Sequence, residues 1–163
     1  MIYQTETITA YGNTPDVLKL KKGELKIKKL DERANFIKKH TSDACWDLVA
    51  CSKKEYGDGR IEYGLGFSAE LPIGTQLDFR ARSSIHKTGM ILSNGIGTGD
   101  EGYRGEYKAV FYHLLKDLPS YEIGDRIIQC QLVERDDEHY SIRYVDTLSD
   151  TERGDGGFGS TGI

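Results

Sequence analysis

The chain is predicted to be an all-β protein, because apolar residues fall in short or alternating runs, helical periodicity is scarce, and Gly, Asp, Asn and Pro punctuate the runs. With 19 glycines in 163 residues, turns are available at the short intervals that a succession of strands needs. Leu25 to Leu30 (LKIKKL) largely alternates apolar and basic residues, as a half-buried strand does. Arg60 to Leu71 and Gln76 to Arg82 bracket the turn-forming Pro72-Ile73-Gly74. Tyr107 to Leu115 (YKAVFYHLL) and Arg126 to Glu134 (RIIQCQLVE) are the most β-prone runs and are expected in the core. Asp136, Asp137 and Glu138 suit a solvated turn, after which Tyr140 to Val145 (YSIRYV) reads as the next strand. One short helix is expected, over Asp31 to Lys39. Strands at this spacing make a sandwich, a jelly roll or a barrel.

A length of 163 residues supports one well-buried core, and 37% hydrophobic with 29% charged residues is a globular composition. Residues 1–22 precede the first clear strand, end in the basic cluster Lys19, Lys21 and Lys22, and are read as an N-terminal extension. The β domain is expected over 23–152, and a Gly-rich C-terminal arm over 153–163. No run resembles a membrane span, and Met1 to Ala10 lacks the basic start and apolar run of a secretory signal, so the cytoplasm is the expected location. Cys45, Cys51 and Cys130 stand at no metal-ligand spacing and are read as reduced structural thiols. A net charge of −4 offers no general attraction for nucleic acid. An anionic substrate would therefore be held by a few placed cations or by a bound metal.

Three segments carry chemistry. Arg153 to Gly162 (RGDGGFGSTG) holds five glycines, whose backbone N–H groups can converge on anionic oxygens. Ser160 and Thr161 add hydroxyl donors, Arg153 a planar cation, and Phe158 a face on which a base can stack. No Walker A sequence is present. The second segment is Arg82-Ser83-Ser84 with Lys87 and Gly89, and the third is the Gly-rich Asn94 to Glu106 (NGIGTGDEGYRGE). Taken singly, these read as a flexible tail, a solvated loop and a surface hairpin.

In this order, the segments resemble the five motifs of the trimeric dUTPase family. Ala44-Cys-Trp-Asp47-Leu-Val-Ala50 resembles the first motif, Arg82-Ser83-Ser84 the second, and Gly97-Thr98-Gly99-Asp100-Glu-Gly-Tyr103-Arg104-Gly105-Glu106 the third. Gly124-Asp125-Arg126-Ile127-Ile128-Gln129 resembles the fourth, and Arg153 to Gly162 the fifth.

The resemblance implies a distorted jelly roll of the β-clip type with a flexible arm, and hydrolysis of dUTP to dUMP and pyrophosphate by water attack at the α-phosphorus. Such a reaction lowers dUTP and supplies dUMP for thymidylate synthesis. It assigns Asp100 as the water-activating carboxylate, Asn94 with the hairpin around Gly97 and Thr98 as the reader of uracil, and Tyr103 as the ring against the sugar. Arg82, Ser83, Ser84 and Gln129 would hold the phosphates. Arg153, Ser160 and Thr161 would close over them from the arm, with Gly159 beside Phe158 stacked on uracil. Asp47 would support the site without binding metal, the cofactor being a magnesium ion held mainly by substrate phosphates and water. The resemblance further implies a homotrimer with active sites shared between subunits. Departures are Ala81, Cys45, Trp46 and above all Gly99, which stands where Ile or Leu normally precedes Asp100. Gly99 is expected to loosen the turn that aims Asp100 and to remove an apolar contact. Two rivals are a dCTP deaminase, disfavoured by the arm and by the Asp100 to Tyr103 spacing, and a non-enzymatic nucleotide sensor, disfavoured by an intact Asp100.

Overall fold

In the computed structural model, residues 23–135 and 140–156 are described, and they form eleven short strands and one 3-10 helix. The strands are β1 (Lys26–Lys29), β2 (Phe36–Ile37), β3 (Trp46–Val49), β4 (Ser52–Glu55), β5 (Arg60–Gly64), β6 (Phe67–Glu70), β7 (Thr75–Ala81), β8 (Met90–Leu92), β9 (Ile96–Gly99), β10 (Lys108–His113) and β11 (Arg126–Glu134). The 3-10 helix, Ser83–Lys87, follows β7. Every pairing is antiparallel, in three sheets ordered β1-β6, β4-β5-β10-β8 and β2-β3-β11-β7-β9. All-β character is as expected from sequence, and strands lie within the runs at 25–30, 76–82, 107–115 and 126–134, whereas the run at 60–71 is divided at Gly66, φ +68°, into β5 and β6 of different sheets.

The core lies between the two larger sheets, and alternation sets its membership. On β5, Ile61 and Tyr63 point inward, on β10 Ala109 and Phe111, and on β7 Leu77 and Phe79. Aromatic rings link the layers: Phe36 meets Phe67 edge-on at 4.7 Å, Phe67 stacks on Tyr107 at 5.1 Å, and Tyr107 meets Phe79 at 5.2 Å.

Two sequence expectations are corrected. Asp31 to Lys39 is not a helix: the Asp31 carboxylate accepts the backbone N–H of Arg33 at 2.8 Å and makes a turn, after which β2 pairs with β3. An Asp that bonds the N–H two residues on competes with helix formation, and Phe36 gains more from packing on Phe67. Tyr140 to Val145 forms no strand, and its alternate residues Tyr140, Ile142 and Tyr144 are 79%, 88% and 94% exposed. The alternation is genuine, but within one chain this segment lies against no strand edge. The extension at 1–22, the acidic cluster at 136–138, and Phe158, Gly159, Ser160 and Thr161 of the arm lie outside the described residues. Among the described residues, no helix is long and apolar enough to cross a membrane.

Candidate active site

One face of the five-stranded sheet gathers the anion-binding candidates, and a β-bulge makes this possible. Residues three apart on a regular strand point to opposite faces, so Arg126 and Gln129 would be separated. On β11, however, Arg126 lies opposite Val49 while Ile128 lies opposite Leu48, which leaves Ile127 as an extra residue. The slip turns Arg126 and Gln129 to one face, where Gln129 stands opposite Asp47 on β3 and opposite Arg80 on β7. Ile127 and Ile128 are both buried behind them.

Asp47 is the hub of that face. Its Oδ1 accepts from Arg82 Nε at 2.9 Å and its Oδ2 from Arg126 Nη1 at 3.1 Å. Arg82 is fixed further by donating from Nη1 to the Arg126 carbonyl at 2.8 Å and to Ser84 Oγ at 3.2 Å. Gln129 donates its amide to the Ala81 carbonyl at 3.3 Å. Asp47, Arg82, Ser83 and Gln129 line a single hollow, together with Lys39 and Cys45. Ser83 is exposed there, with its hydroxyl open to a ligand.

The hairpin candidates occupy a different place. Gly95 takes the left-handed φ of +65° that the tight turn after Asn94 requires, and the chain re-enters the sheet as β9. Asn94, Gly97 and Thr98 line a hollow floored by Phe79, Tyr107 and Ile128. An adjoining hollow is lined by Thr98, Gly99, Asp100, Tyr103, Glu106, Tyr107 and Lys108, so the two share Thr98, Tyr107 and Lys108, whose ammonium is paired with Glu62 at 2.9 Å. Asp100 is exposed, and among the described residues its carboxylate has no hydrogen-bond or ion-pair partner. The turn beyond it is braced: Tyr103 N–H donates to the Asp100 carbonyl at 3.1 Å, and Glu101 accepts from Gly74 N–H at 2.8 Å. Tyr103 stands edge-on to Tyr107 at 5.1 Å and donates its hydroxyl to the Glu106 carbonyl at 3.0 Å.

Register separates these two groups within one chain. Gly99 lies opposite Leu77 on β7, so Asp100 follows near Gln76, whereas Arg82 leaves the other end of β7. Six residues of strand at about 3.3 Å each put them about 20 Å apart. Arg153, on the described part of the arm, is exposed and turns its Nε to the Gly156 carbonyl at 3.0 Å.

At Gly99, where an apolar side chain is missing, the Tyr107 ring occupies the space that a side chain would take. Sequence reasoning passed over Tyr107, Lys39 and the grip of Arg126 on Asp47. An aromatic immediately after the third motif was a signal for the first, whereas the bulge that aims Arg126 had none. Burial raises the Tyr107 phenol above its usual range, with Tyr103 adding to the effect. It also pushes the Cys130 thiol up to about 12, which keeps that cysteine protonated and unreactive.

Among the described residues, no three His, Cys, Asp or Glu side chains are grouped as a metal cage. Both oxygens of Asp47 are engaged by arginines. This donor set fits a divalent cation carried on substrate phosphates and water rather than one held by protein ligands.

The dUTPase family model matches residues 32–162. Among curated proteins, the deoxyuridine 5'-triphosphate nucleotidohydrolase of Crocosphaera subtropica is 37% identical over 143 residues, covering 86% of this chain and 99% of the relative. That of Alkaliphilus metalliredigens is 34% identical over 142 residues, covering 85% and 97%. Among solved structures, the Staphylococcus bacteriophage 80alpha dUTPase with dUPNHPP superposes with a TM-score of 0.70 at 22% identity, over 86% of this chain and 99% of the phage chain. A dUTPase from phage phi11 of S. aureus, in which coordination of a structural Mg(II) ion was described, superposes at 0.58 with 17% identity, over 80% and 97%. The likeness in structure places the fold with the jelly-roll-type dUTPases, and the family match and the curated relatives make the chain a member of the dUTPase family.

Proposed function

We propose that the protein is a dUTP diphosphatase that hydrolyses dUTP to dUMP and pyrophosphate with magnesium, at sites assembled between copies of the chain in a homotrimer. The observation that carries the reading is the state of Asp100. Asp47 and Glu101 are tied up by arginines, whereas the Asp100 carboxylate is unpaired among the described residues and lines a hollow that adjoins the one at Asn94. A carboxylate with no cationic partner keeps its lone pairs for water, as a general base requires.

In this reading, Asn94 and the backbone at Gly97 and Thr98 read the edge of uracil, and Tyr103 packs against the sugar and leaves no room for a 2'-hydroxyl. Arg82, Ser83, Ser84 and Gln129 take the phosphates, with Asp47 keeping Arg82 in place. Arg153, Phe158, Gly159, Ser160 and Thr161 close over the nucleotide from the arm. Asp100 takes a proton from water as its oxygen bonds to the α-phosphorus, and the bond from that phosphorus to the bridging oxygen of pyrophosphate breaks. The substrate phosphates would carry the magnesium ion, which would supply neutralisation of the charge developing on them.

The backbone separation of about 20 Å between Asp100 and Arg82 along β7 supports sharing, because a base acting at the α-phosphorus and an arginine holding the phosphates should converge on one short triphosphate. The unpaired alternating segment 140–145 supports assembly too, since a partner chain would give it an edge to join. The test is pyrophosphate release with magnesium from dUTP, dCTP, dTTP and UTP. Release from dUTP far faster than from the other three is expected. Equal rates on all four, or ammonia release from dCTP, would overturn the reading.

A further inference from the structure

The Tyr107 side chain lies where the Asn94 hollow, the Asp100 hollow and the core meet. It is only 5% exposed, and three rings surround it: Phe67 at 5.1 Å, Phe79 at 5.2 Å and Tyr103 at 5.1 Å. Its backbone is clamped as well, with its N–H donating to the Phe67 carbonyl and its carbonyl accepting from Leu65 N–H, each at 3.0 Å. A side chain with this many fixed neighbours has little freedom to move. Its outer edge points at Gly99, where an added Cβ would lie 2.5 Å from Tyr107 Cε1 and 3.2 Å from Cζ, and 3.2 Å from Phe79 Cε2. Carbon atoms pack at about 3.5 to 4.0 Å, so no side chain fits at position 99 while the Tyr107 ring is in place.

We propose that Tyr107 is a positioning residue for Asp100: its ring occupies the place of the side chain that Gly99 lacks and so holds the end of β9 from which Asp100 projects. The inference rests on Asp100 being the base. Glycine is the most permissive backbone residue, and one placed immediately before a catalytic carboxylate would let its direction vary unless something braces it. Here the brace is a ring contributed by the residue immediately before β10 of the neighbouring sheet. The Tyr107 hydroxyl is not what holds it, because that oxygen is buried without a partner among the described residues. A buried, unpaired hydroxyl opposes stability, so the ring is the useful part.

The test compares kcat and KM for dUTP, with thermal midpoints, in the wild type, Tyr107→Phe, Tyr107→Val, Gly99→Ile and the double variant Gly99→Ile/Tyr107→Val. Tyr107→Phe keeps the ring, so its kcat should stay within about threefold of wild type and its midpoint should not fall. Tyr107→Val should lose on the order of 100-fold in kcat, the scale of an ångström misplacement, with a smaller change in KM. Gly99→Ile should overpack and also lose activity. In the double variant the isoleucine refills the space from the other side, and kcat should recover at least about tenfold over Tyr107→Val. A folded Tyr107→Val with wild-type kcat would overturn the proposal. So would a folded double variant whose midpoint recovers while its kcat does not, for then the contact is structural only. If Tyr107→Val does not fold, the double variant decides alone: kcat within about tenfold of wild type supports the proposal, and a loss beyond about 100-fold in folded protein overturns it. A wild-type protein that leaves dUTP intact would be a failure of the proposed function, read before any variant is measured.

Discussion

The Asp47 face and the Asp100 hairpin lie on the same sheet and are built on opposite principles. On the Asp47 face, every polar candidate except Ser83 is held by another: Arg82 and Arg126 by Asp47, Ser84 by Arg82, Gln129 by the Ala81 carbonyl. Charges there are aimed by charges. At the hairpin, the Asp100 carboxylate has no hydrogen-bond or ion-pair partner among the described residues, and apolar and aromatic packing surrounds Gly99, Tyr107 and Tyr103. The difference follows from the chemistry each region would perform. A phosphate site gains from preorganised donors, whereas a base must keep its oxygens unoccupied until water arrives.

That contrast can be broken at either end. The largest effect is expected at the hairpin: Asp100→Asn should lower kcat by about 10²- to 10⁴-fold while nucleotide binding by calorimetry is retained. Loss of binding in proportion would mean that Asp100 is a ligand group instead. The next largest is at the face. Asp47→Ala releases two arginines at once, and KM for dUTP should rise by about tenfold with kcat changed less, which steady-state kinetics will resolve. The effect is moderate because both guanidinium groups reach solvent, where a lost ion pair is partly replaced by water.

The smallest effect lies away from both regions, at the turn where a helix was expected. Hydrogen bonds from Arg33 hold the Asp31 carboxyl down at about 2, against an ordinary value near 4. A depressed carboxyl favours the folded state above its unfolded pKa, and that contribution disappears as pH falls from about 4 to about 2. Arg33→Ala should therefore narrow the difference in urea midpoint between pH 5 and pH 2 slightly, without altering turnover at neutral pH. A change in turnover would mean that this turn communicates with the site.

The strands were largely legible because burial imposes a period of two, and β11 follows the predicted run from Arg126 to Glu134. Asp31 to Lys39 was misread because an Asp at a turn bonds its own backbone, which residue propensity does not register. Tyr140 to Val145 was legible as a strand pattern yet forms none, because alternation gives a strand's faces but not a partner, and the segment pairs with none of the sheet edges of this chain. Site residues were named through motif order, which identifies types but not directions. The Ile127 bulge turns Arg126 onto the Asp47 face, and the Tyr107 ring fills the space beside Gly99. Both depend on contacts between elements far apart in the chain.

The central claim is that Asp100 and Arg82 serve one nucleotide from different copies of the chain, and subunit complementation tests it most directly. Asp100→Asn and Arg82→Ala proteins, each inactive alone, would be unfolded together at equal concentration, refolded, and assayed for pyrophosphate release from dUTP. If each site takes Arg82 and Asp100 from different subunits, random assortment in a symmetric oligomer leaves about a quarter of the sites intact, and about a quarter of wild-type activity should return. If both residues act within one chain, no mixed site is complete, and the refolded mixture would stay as inactive as its two components.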